Sequence, residues 1–366
     1  MASKNLKIAF IGTGIMGAPI AGHIMDAGYE LTVYNRTKEK AADLIERGAA
    51  WADSVAEAAK DADVVFTMVG FPTDVEEVYL AGEGLLASAK DGAYLIDLTT
   101  SAPELARDIA GAAEVCGKHA FDCPVTGGES GAIAGTLTAI IGATERDIEP
   151  VREVLETFTS KICCFGGAGK GQAAKLSNQV ALASAMVGMA DALSFAQQND
   201  LDVEQVREMI CSGTGSSGAM QQLAPKAIDG DYKPGFLVEH FLKDLGLALT
   251  VAEEKEIALP GADTAFTLYD MLDAIGGGRM GTQAITLLYQ EEAEAVAAGL
   301  DWSLYTAQHE HDDECDCGCG HDHGHEHGED HECCCGGHGH GEDHECCGGH
   351  GHGEGHECHC GHHHEG

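Results

Sequence analysis

Positive charge is scarce in this chain. Lys and Arg number 21 against 60 Asp and Glu. Such a surface repels a polyanion, and no basic stripe offsets it, so nucleic-acid binding is excluded. Aromatics make up only 5% of the residues, while Gly and Ala abound, which suits close helix packing. No secretory leader is legible: Lys4 and Lys7 bracket no apolar h-region, and residues 7–11 run straight into a glycine turn. No segment reads as a transmembrane helix. Only five cysteines precede the C-terminal tail. Cys163 and Cys164 are adjacent and the others follow no spacing pattern, which points to a reducing cytoplasm.

Proline is missing from residues 169–199, GKGQAAKLSNQVALASAMVGMADALSFAQQN. Ala, Leu and Met dominate there, and after Lys170 the only charges are Lys175 and Asp191. This composition predicts a long helix, roughly 40 Å from end to end. Its apolar residues keep to no single stripe, so most of its surface is expected to be buried. A membrane span is the alternative, but the stretch between Lys175 and Asp191 is too short and contains Asn178 and Gln179. Lys175, Asn178 and Gln179 fall at i, i+3 and i+4 and share one face. Three polar groups converging at the start of an apolar helix suggest a site.

What the first half holds is alternation. Residues 6–11 form an apolar run of strand length. Gly12-Thr13-Gly14-Ile15-Met16-Gly17 follows, then a helical pattern over 18–27 and a second strand over 30–35. This is a βαβ unit carrying G-x-G-x-x-G. Gly12 permits the tight turn, Gly14 lets the backbone approach a pyrophosphate, and Gly17 lets helix pack on strand. The helix N-terminus supplies amides and a positive dipole end. An ordinary glycine turn would be the bland reading; the strand–turn–helix context favours a dinucleotide. The second strand ends in Asn35-Arg36-Thr37 rather than an acid, which favours NADP over NAD. Solvated charges at a loop and helix start are the less favoured reading of Arg36 and Lys38.

Further strands are expected over 63–69, 93–98, 119–123, 137–141 and 161–165, with helices between most of them. That rhythm predicts a mostly parallel, doubly wound sheet. Loops at 69–72 and 99–102 should line the cofactor crevice. The segment DCPVTGGESGA at 122–132 is a tight loop that could bind a carboxylate through Thr126 and the Gly127 and Gly128 amides, or be a structural turn. Beyond the long helix the patterns are helical throughout: 203–211, 236–254 with His240, Lys243 and Asp244, 263–275, and 282–298.

Four motifs in order, GTGIMG at 12–17, DCPVTGGESGAIAGTLT at 122–138, GKGQAAKLSNQ at 169–179 and KDLGLAL at 243–249, resemble the β-hydroxyacid dehydrogenase family. That family includes 3-hydroxyisobutyrate dehydrogenases and tartronate semialdehyde reductases, and is distantly similar to 6-phosphogluconate dehydrogenase. The resemblance covers roughly residues 6–300. It implies an NAD(P)-dependent oxidoreductase acting on a small 3-hydroxyacid or the matching semialdehyde. By resemblance Lys175 is the catalytic acid/base. Thr126, Gly127, Gly128, Asn178, Gln179 and Lys243 hold substrate. Gly12, Gly14, Ile15, Met16, Gly17, Asn35, Arg36, Thr37, Val69, Gly70, Thr100 and Lys243 touch cofactor. The family has asparagine where this chain has Gln179, and SGG where it has Thr126-Gly127-Gly128. A lysine serving as base needs its pKa brought down from about 10.4, which burial and a second cation such as Lys243 would do.

From His309 the composition changes. The remaining residues hold 17 His, ten Cys and 16 acids, with no Lys or Arg, and cannot bury a core. DHECCCGGHGHGE at 330–342 recurs as DHECCGGHGHGE at 343–354. Cys and His at this density suit zinc, nickel, cobalt or copper. Candidate ligands before the repeat are Cys315, Cys317, Cys319, His321 and His323. Within the first repeat they are His331, Cys333, Cys334, Cys335, His338 and His340. His344, Cys346, Cys347, His350 and His352 follow in the second, with Cys358 and Cys360 beyond it. The hydride chemistry needs no metal.

The resulting organisation is α/β. A Rossmann-type domain spans 1–166, and an all-α substrate and dimerisation domain 167–305, opened by the long interdomain helix. A disordered metal-binding tail spans 306–366. Expected partners are a small hydroxyacid or semialdehyde, a second copy of the chain and transition-metal ions. The competing reading is a metal store or chaperone whose body is a carrier.

Overall fold

Gly12 shows why the first strand ends where it does. Its φ is +96°, and a Cβ there would stand 2.2 Å from the Met68 carbonyl oxygen. Only glycine fits, so the chain turns out of β1 (Lys7–Ile11) directly into α1 (Gly17–Asp26). The computed structural model describes residues 6–305. Within it β2 (Glu30–Tyr34), β3 (Ala50–Trp51), β4 (Val64–Thr67), β5 (Tyr94–Asp97) and β6 (His119–Asp122) join β1 in a six-stranded sheet. The order is 3-2-1-4-5-6 and every pairing is parallel. Strand order reverses between β1 and β4, which opens a crevice at their carboxyl ends. Apolar side chains cover both faces, with Phe10, Phe66 and Phe158 on one and Val65, Tyr79 and Leu95 on the other.

Three features differ from the sequence expectation. First, β3, only two residues long, carries too little pattern to be read from the sequence. Second, the sheet is not continuous. Pro124 follows β6 and offers no amide to a ladder. The chain turns there into β7 (Val125–Thr126), which runs antiparallel to β8 (Leu137–Ile141), and β8 pairs in parallel with β9 (Thr159–Cys164). The result is a separate three-stranded sheet. Third, residues 282–298 are not one helix. Thr282–Tyr289 winds as a 3-10 helix, Gln290 and Glu291 are extended, and a new helix covers Glu292–Ala297. Acids in its first turn suit a fresh helix start.

Among the longer helices of the first half, α2 (Pro72–Leu80), α3 (Pro103–Val115) and α4 (Gly128–Ala134) follow α1. The long helix α5 (Lys170–Gln198) then begins the helical half. Gly169 caps it at φ +80°, where a Cβ would stand 2.4 Å from the Pro103 carbonyl oxygen. α5 is long and apolar enough to cross a membrane by length and composition. Its buried residues nevertheless keep to one face, through Gln172, Lys175, Gln179, Ala183, Met186, Ala190 and Leu193. The expectation that most of its surface is buried does not hold, because the opposite face is exposed at Ala173, Ala181, Ser184 and Gly188. No stripe is legible in the sequence because alanine rings the helix on all sides. The buried face packs on α7 (Val238–Glu254) and α8 (Pro260–Ala274), with α6 (Val203–Cys211) alongside. Phe241, Leu245 and Tyr269 centre this second core.

Candidate active site

Two neighbouring regions emerge, a cleft over the carboxyl ends of β1 and β4 and a polar junction at the start of α5. The cleft encloses about 530 Å³. The glycine loop forms its floor through Gly12, Gly14, Ile15, Met16 and Gly17, and Asn35, Arg36, Val69 and Gly70 stand around it. Gly17 packs as expected, since a Cβ there would stand 1.9 Å from the Gly12 carbonyl oxygen. Gly14 is different: a Cβ there would meet nothing within 4 Å. That open approach, at the N-terminus of a ten-residue helix, fits a dinucleotide pyrophosphate.

Asn35 fixes the loop. Its Oδ1 accepts from the Thr13 amide at 3.1 Å, and its Nδ2 donates to the Thr37 carbonyl at 2.8 Å. Thr37 does not line the cleft and serves Asn35 through its backbone. Arg36 lines the rim, 73% exposed, and pairs with Asp74 at 3.0 Å. The other oxygen of Asp74 accepts from the Phe71 amide at 3.0 Å. The helical half closes the opposite wall with Phe236, Glu239, His240 and Arg279. His240 stacks edge-on against Phe71, with ring centres 5.5 Å apart. Burial, then the neighbouring Lys243, pushes the His240 imidazole below its ordinary value. Phe71 falls in the 69–72 loop expected at the crevice, whereas Asp74, His240 and Arg279 carry no motif, and only position in the fold reveals them.

The junction is built on the first turns of α5. Asp122, at the end of β6, accepts from the Gly169 amide at 2.8 Å and the Gln172 amide at 2.7 Å. It satisfies two first-turn donors that would otherwise be orphaned. Gly171 leaves room for this, since a Cβ there would stand 2.7 Å from Asp122 Oδ2 and 2.6 Å from the Gly142 nitrogen. Burial pushes the Asp122 carboxyl up and those amides hold it down.

One turn on, Lys175 is buried, and burial brings its amine down to about 8; Asp244, the next influence, acts to raise it, and Lys243, the smaller one, to lower it. Lys243 and Asp244 come from α7 and form an ion pair at 3.0 Å. Adjacent helical positions point about 100° apart, yet the long lysine stem folds back to its neighbour. Gln179 Nε2 donates to Asp244 Oδ2 at 2.6 Å, and Asn178 Nδ2 donates to Gln179 Oε1 at 2.9 Å. Both ends of the Gln179 amide are thus engaged within the protein. Lys243 Nζ donates to the Thr100 carbonyl at 2.5 Å. Neither Thr100 nor Lys243 lines the cleft; the two meet at the junction instead.

Thr126, Gly127 and Gly128 form the turn between β7 and α4, with φ at +131° for Gly127 and +62° for Gly128. Both glycines are exposed and Thr126 is half-buried. Glu129, in the first turn of α4, approaches Gly235 of the helical half, where a Cβ would lie 3.8 Å from its Oε2. No three His, Cys, Asp or Glu side chains among the described residues group as metal ligands. The tail candidates, Cys315 to Cys360, lie outside the described residues.

A glycine-floored cleft beside a buried lysine defines a nicotinamide-dependent oxidoreductase of the doubly wound class. Residues 7–167 match the NAD-binding domain of 6-phosphogluconate dehydrogenase, and residues 169–289 match the NAD-binding domain of NADP-dependent 3-hydroxyisobutyrate dehydrogenase. The chain is 44% identical to the uncharacterised oxidoreductase YkwC of Bacillus subtilis over 77% of its own length and 98% of that protein. It is 42% identical to the probable mitochondrial 3-hydroxyisobutyrate dehydrogenase-like 1 of Arabidopsis thaliana, over 78% of this chain and 85% of the relative. The solved 3-hydroxyisobutyrate dehydrogenase of Mycobacterium tuberculosis, with L-serine, superposes with a TM-score of 0.72 at 31% identity. That match covers 78% of this chain and 99% of the solved one. The chain belongs to the β-hydroxyacid dehydrogenase family, the NAD(P)-dependent enzymes typified by 3-hydroxyisobutyrate dehydrogenase. The competing reading, a metal store with the body as carrier, finds no support, since both halves of the body match dehydrogenase families.

Proposed function

We propose that this enzyme interconverts a small 3-hydroxyacid and its semialdehyde, with Lys175 as general acid/base. The observation that carries the reading is Lys175 itself: a buried lysine, brought down to about 8, on the helix that joins the two halves. A bound nicotinamide would accept or supply the hydride at the carbinol carbon. Neutral Lys175 would take the hydroxyl proton during oxidation, and its ammonium form would return that proton during reduction. The substrate carboxylate would rest on Thr126 and the Gly127 and Gly128 amides, a turn rich in positive φ with exposed backbone. Asn178 would face the substrate, with Gln179 shaping the pocket through Asp244. Fixing the acid end orients the carbinol and discriminates against alcohols that lack it. The L-serine bound to the Mycobacterium tuberculosis relative, a 3-hydroxyacid, supports this class.

Arg36, at the end of β2 and on the rim of the cleft, supports a preference for NADP over NAD. Association with a second copy is supported by α6, whose residues are all less than fully buried, and by Phe195 and Met209, 71% and 61% exposed. The five cysteines of the described body are all unpaired, which supports a reducing, cytoplasmic setting. The His- and Cys-rich composition after residue 309 supports transition-metal binding by the tail, separate from the chemistry. The test of the main reading is a panel of small 3-hydroxyacids and semialdehydes with NADH and NADPH. Turnover of 3-hydroxyacids, and none of the matching alcohols without a carboxylate, is expected. Equal turnover of the acid-free alcohols would overturn it.

A further inference from the structure

Gln172 belongs to none of the roles assigned above, yet it is wholly buried at the centre of the junction. Its Oε1 accepts from the Ser101 amide at 2.9 Å, and its Nε2 donates to the Thr99 carbonyl at 2.7 Å. The Ser101 amide and the Thr100 carbonyl are the two ends of one peptide group. Lys243 Nζ donates to that same Thr100 carbonyl. Gln172 and Lys243 therefore grip one peptide plane from opposite ends, one from α5 and the other from α7. Hydrogen bonds in series through a peptide polarise and strengthen one another.

The Thr99–Ser101 stretch is held from the cofactor side as well. Thr99 Oγ1 accepts from the Val69 amide at 3.0 Å, and the Thr99 amide donates to Asp97 Oδ1 at 3.0 Å. The segment thus ties the Val69–Gly70 wall of the cleft to the lysine pair. Gln172 also lies three residues before Lys175, on the same buried face of α5.

We propose that Gln172 is a positioning residue: by holding the Thr100–Ser101 peptide it fixes Lys243 beside Lys175 and so sets the proton affinity of the acid/base. The proposal rests on the reading of Lys175 as that group. The charged groups that act on the lysine are Lys243 and Asp244 from α7; His240 lies one turn earlier on that helix, and Asp122 binds the Gly169 amide at the start of α5. Of these, Lys243 acts to lower Lys175 and Asp244 to raise it. Without the held peptide Lys243 keeps only its Asp244 partner, and its lowering influence on Lys175 weakens.

The test is Gln172→Met in the full chain, which keeps side-chain length and deletes both hydrogen bonds. Gln172→Asn, with the amide one methylene short, serves if the methionine variant does not fold. Lys175 is followed directly by its Nζ signal in ¹⁵N-lysine-labelled protein, assigned through Lys175→Arg, and separately by the pH profile of kcat. The Lys175 titration is expected to move upward by about 0.5–1 unit in Gln172→Met and by less in Gln172→Asn. Lys243→Gln, which removes the charge outright, should give an upward shift at least as large, and the Gln172→Met/Lys243→Gln double variant no shift beyond that of Lys243→Gln. A Nζ titration that is unchanged or lower in the folded variants overturns the proposal, whatever happens to thermal stability. A Nζ titration that moves while the kcat profile stays put supports the positioning role and refutes Lys175 as acid/base.

Discussion

Gln179 Nε2 reaches Asp244 Oδ2 at 2.6 Å across 65 positions of sequence, tying the helix that bears Lys175 to the helix that bears Lys243. Asp244 is the common partner: it binds Gln179, pairs with Lys243, and raises the proton affinity of Lys175 against the effect of burial. The junction therefore holds two lysines with one carboxylate. That arrangement leaves Lys175 able to change protonation state near neutrality.

Asp244→Asn is expected to keep the hydrogen bond to Gln179 and lose the charge. Lys175 should then titrate lower than about 8, by about 0.5–1 unit. The pH profile of hydroxyacid oxidation would shift to lower pH, and semialdehyde reduction would slow at pH 7.5. Asp244→Ala should also cost about 3 kcal/mol of stability, because Lys243 keeps a buried charge without its partner. Denaturant melts and pH–rate profiles of the two variants check both statements.

Arg36→Ala should raise the KM for NADPH about tenfold or more and leave that for NADH nearly unchanged, since only NADPH carries the 2′-phosphate. Asp74→Asn acts in the opposite direction. Freed from its partner, Arg36 should favour NADPH a further twofold to fivefold, which is what an exposed ion pair is worth. Steady-state constants for both cofactors with each variant decide the point. Parallel changes for NADH and NADPH would show that Arg36 does not meet the phosphate.

Asp97 gives the fold a pH signature. Burial, opposed by hydrogen bonds from Thr99 and Thr67, pushes its carboxyl up from 3.8 to about 6. Between those values the folded state binds a proton that the unfolded chain does not, so stability falls as pH rises from about 4 to about 6. Asp97→Asn keeps the Oδ1 acceptor and removes the buried charge. It should raise stability at pH 7.5, by up to about 3 kcal/mol, and flatten the Asp97 contribution between pH 4 and 6. Thermal melts across that range are the check.

The glycine loop was legible in the sequence because its demands are local. Gly12 and Gly17 each meet backbone within a few residues or one strand away, and the spacing encodes that geometry. The start of α5 was legible for the same reason, through Gly169 and the polar face at Lys175, Asn178 and Gln179. The ties that make the junction were not. Gln172 meets Ser101 from 71 positions away, and Lys243 meets Thr100 from 143. Such pairs depend on which strand ends lie side by side, and composition does not record that. Asp244 could be noticed as a charge in an apolar run, but not as the partner of Gln179. Gln179 itself, read as a substrate contact, has both amide ends engaged in the protein.

A chain ending at Tyr305 should retain dehydrogenase turnover within about twofold, because cleft and junction are built from residues before it. It should lose binding of zinc or nickel measured by calorimetry, since the His- and Cys-rich residues are removed. Loss of turnover on truncation would mean that the tail takes part in the reaction.

The central claim is that Lys175 moves the proton. The measurement is the pH dependence of kcat for oxidation of the best 3-hydroxyacid, in wild type and in Lys175→Met, with NADPH affinity measured on both. Wild-type oxidation should rise with pH through a midpoint near 8 and plateau above it, as the amine loses its proton. Lys175→Met should bind NADPH normally, lose that titration, and turn over about 10²–10⁴-fold more slowly. Near-wild-type turnover in Lys175→Met, with the midpoint still at 8, would contradict the account.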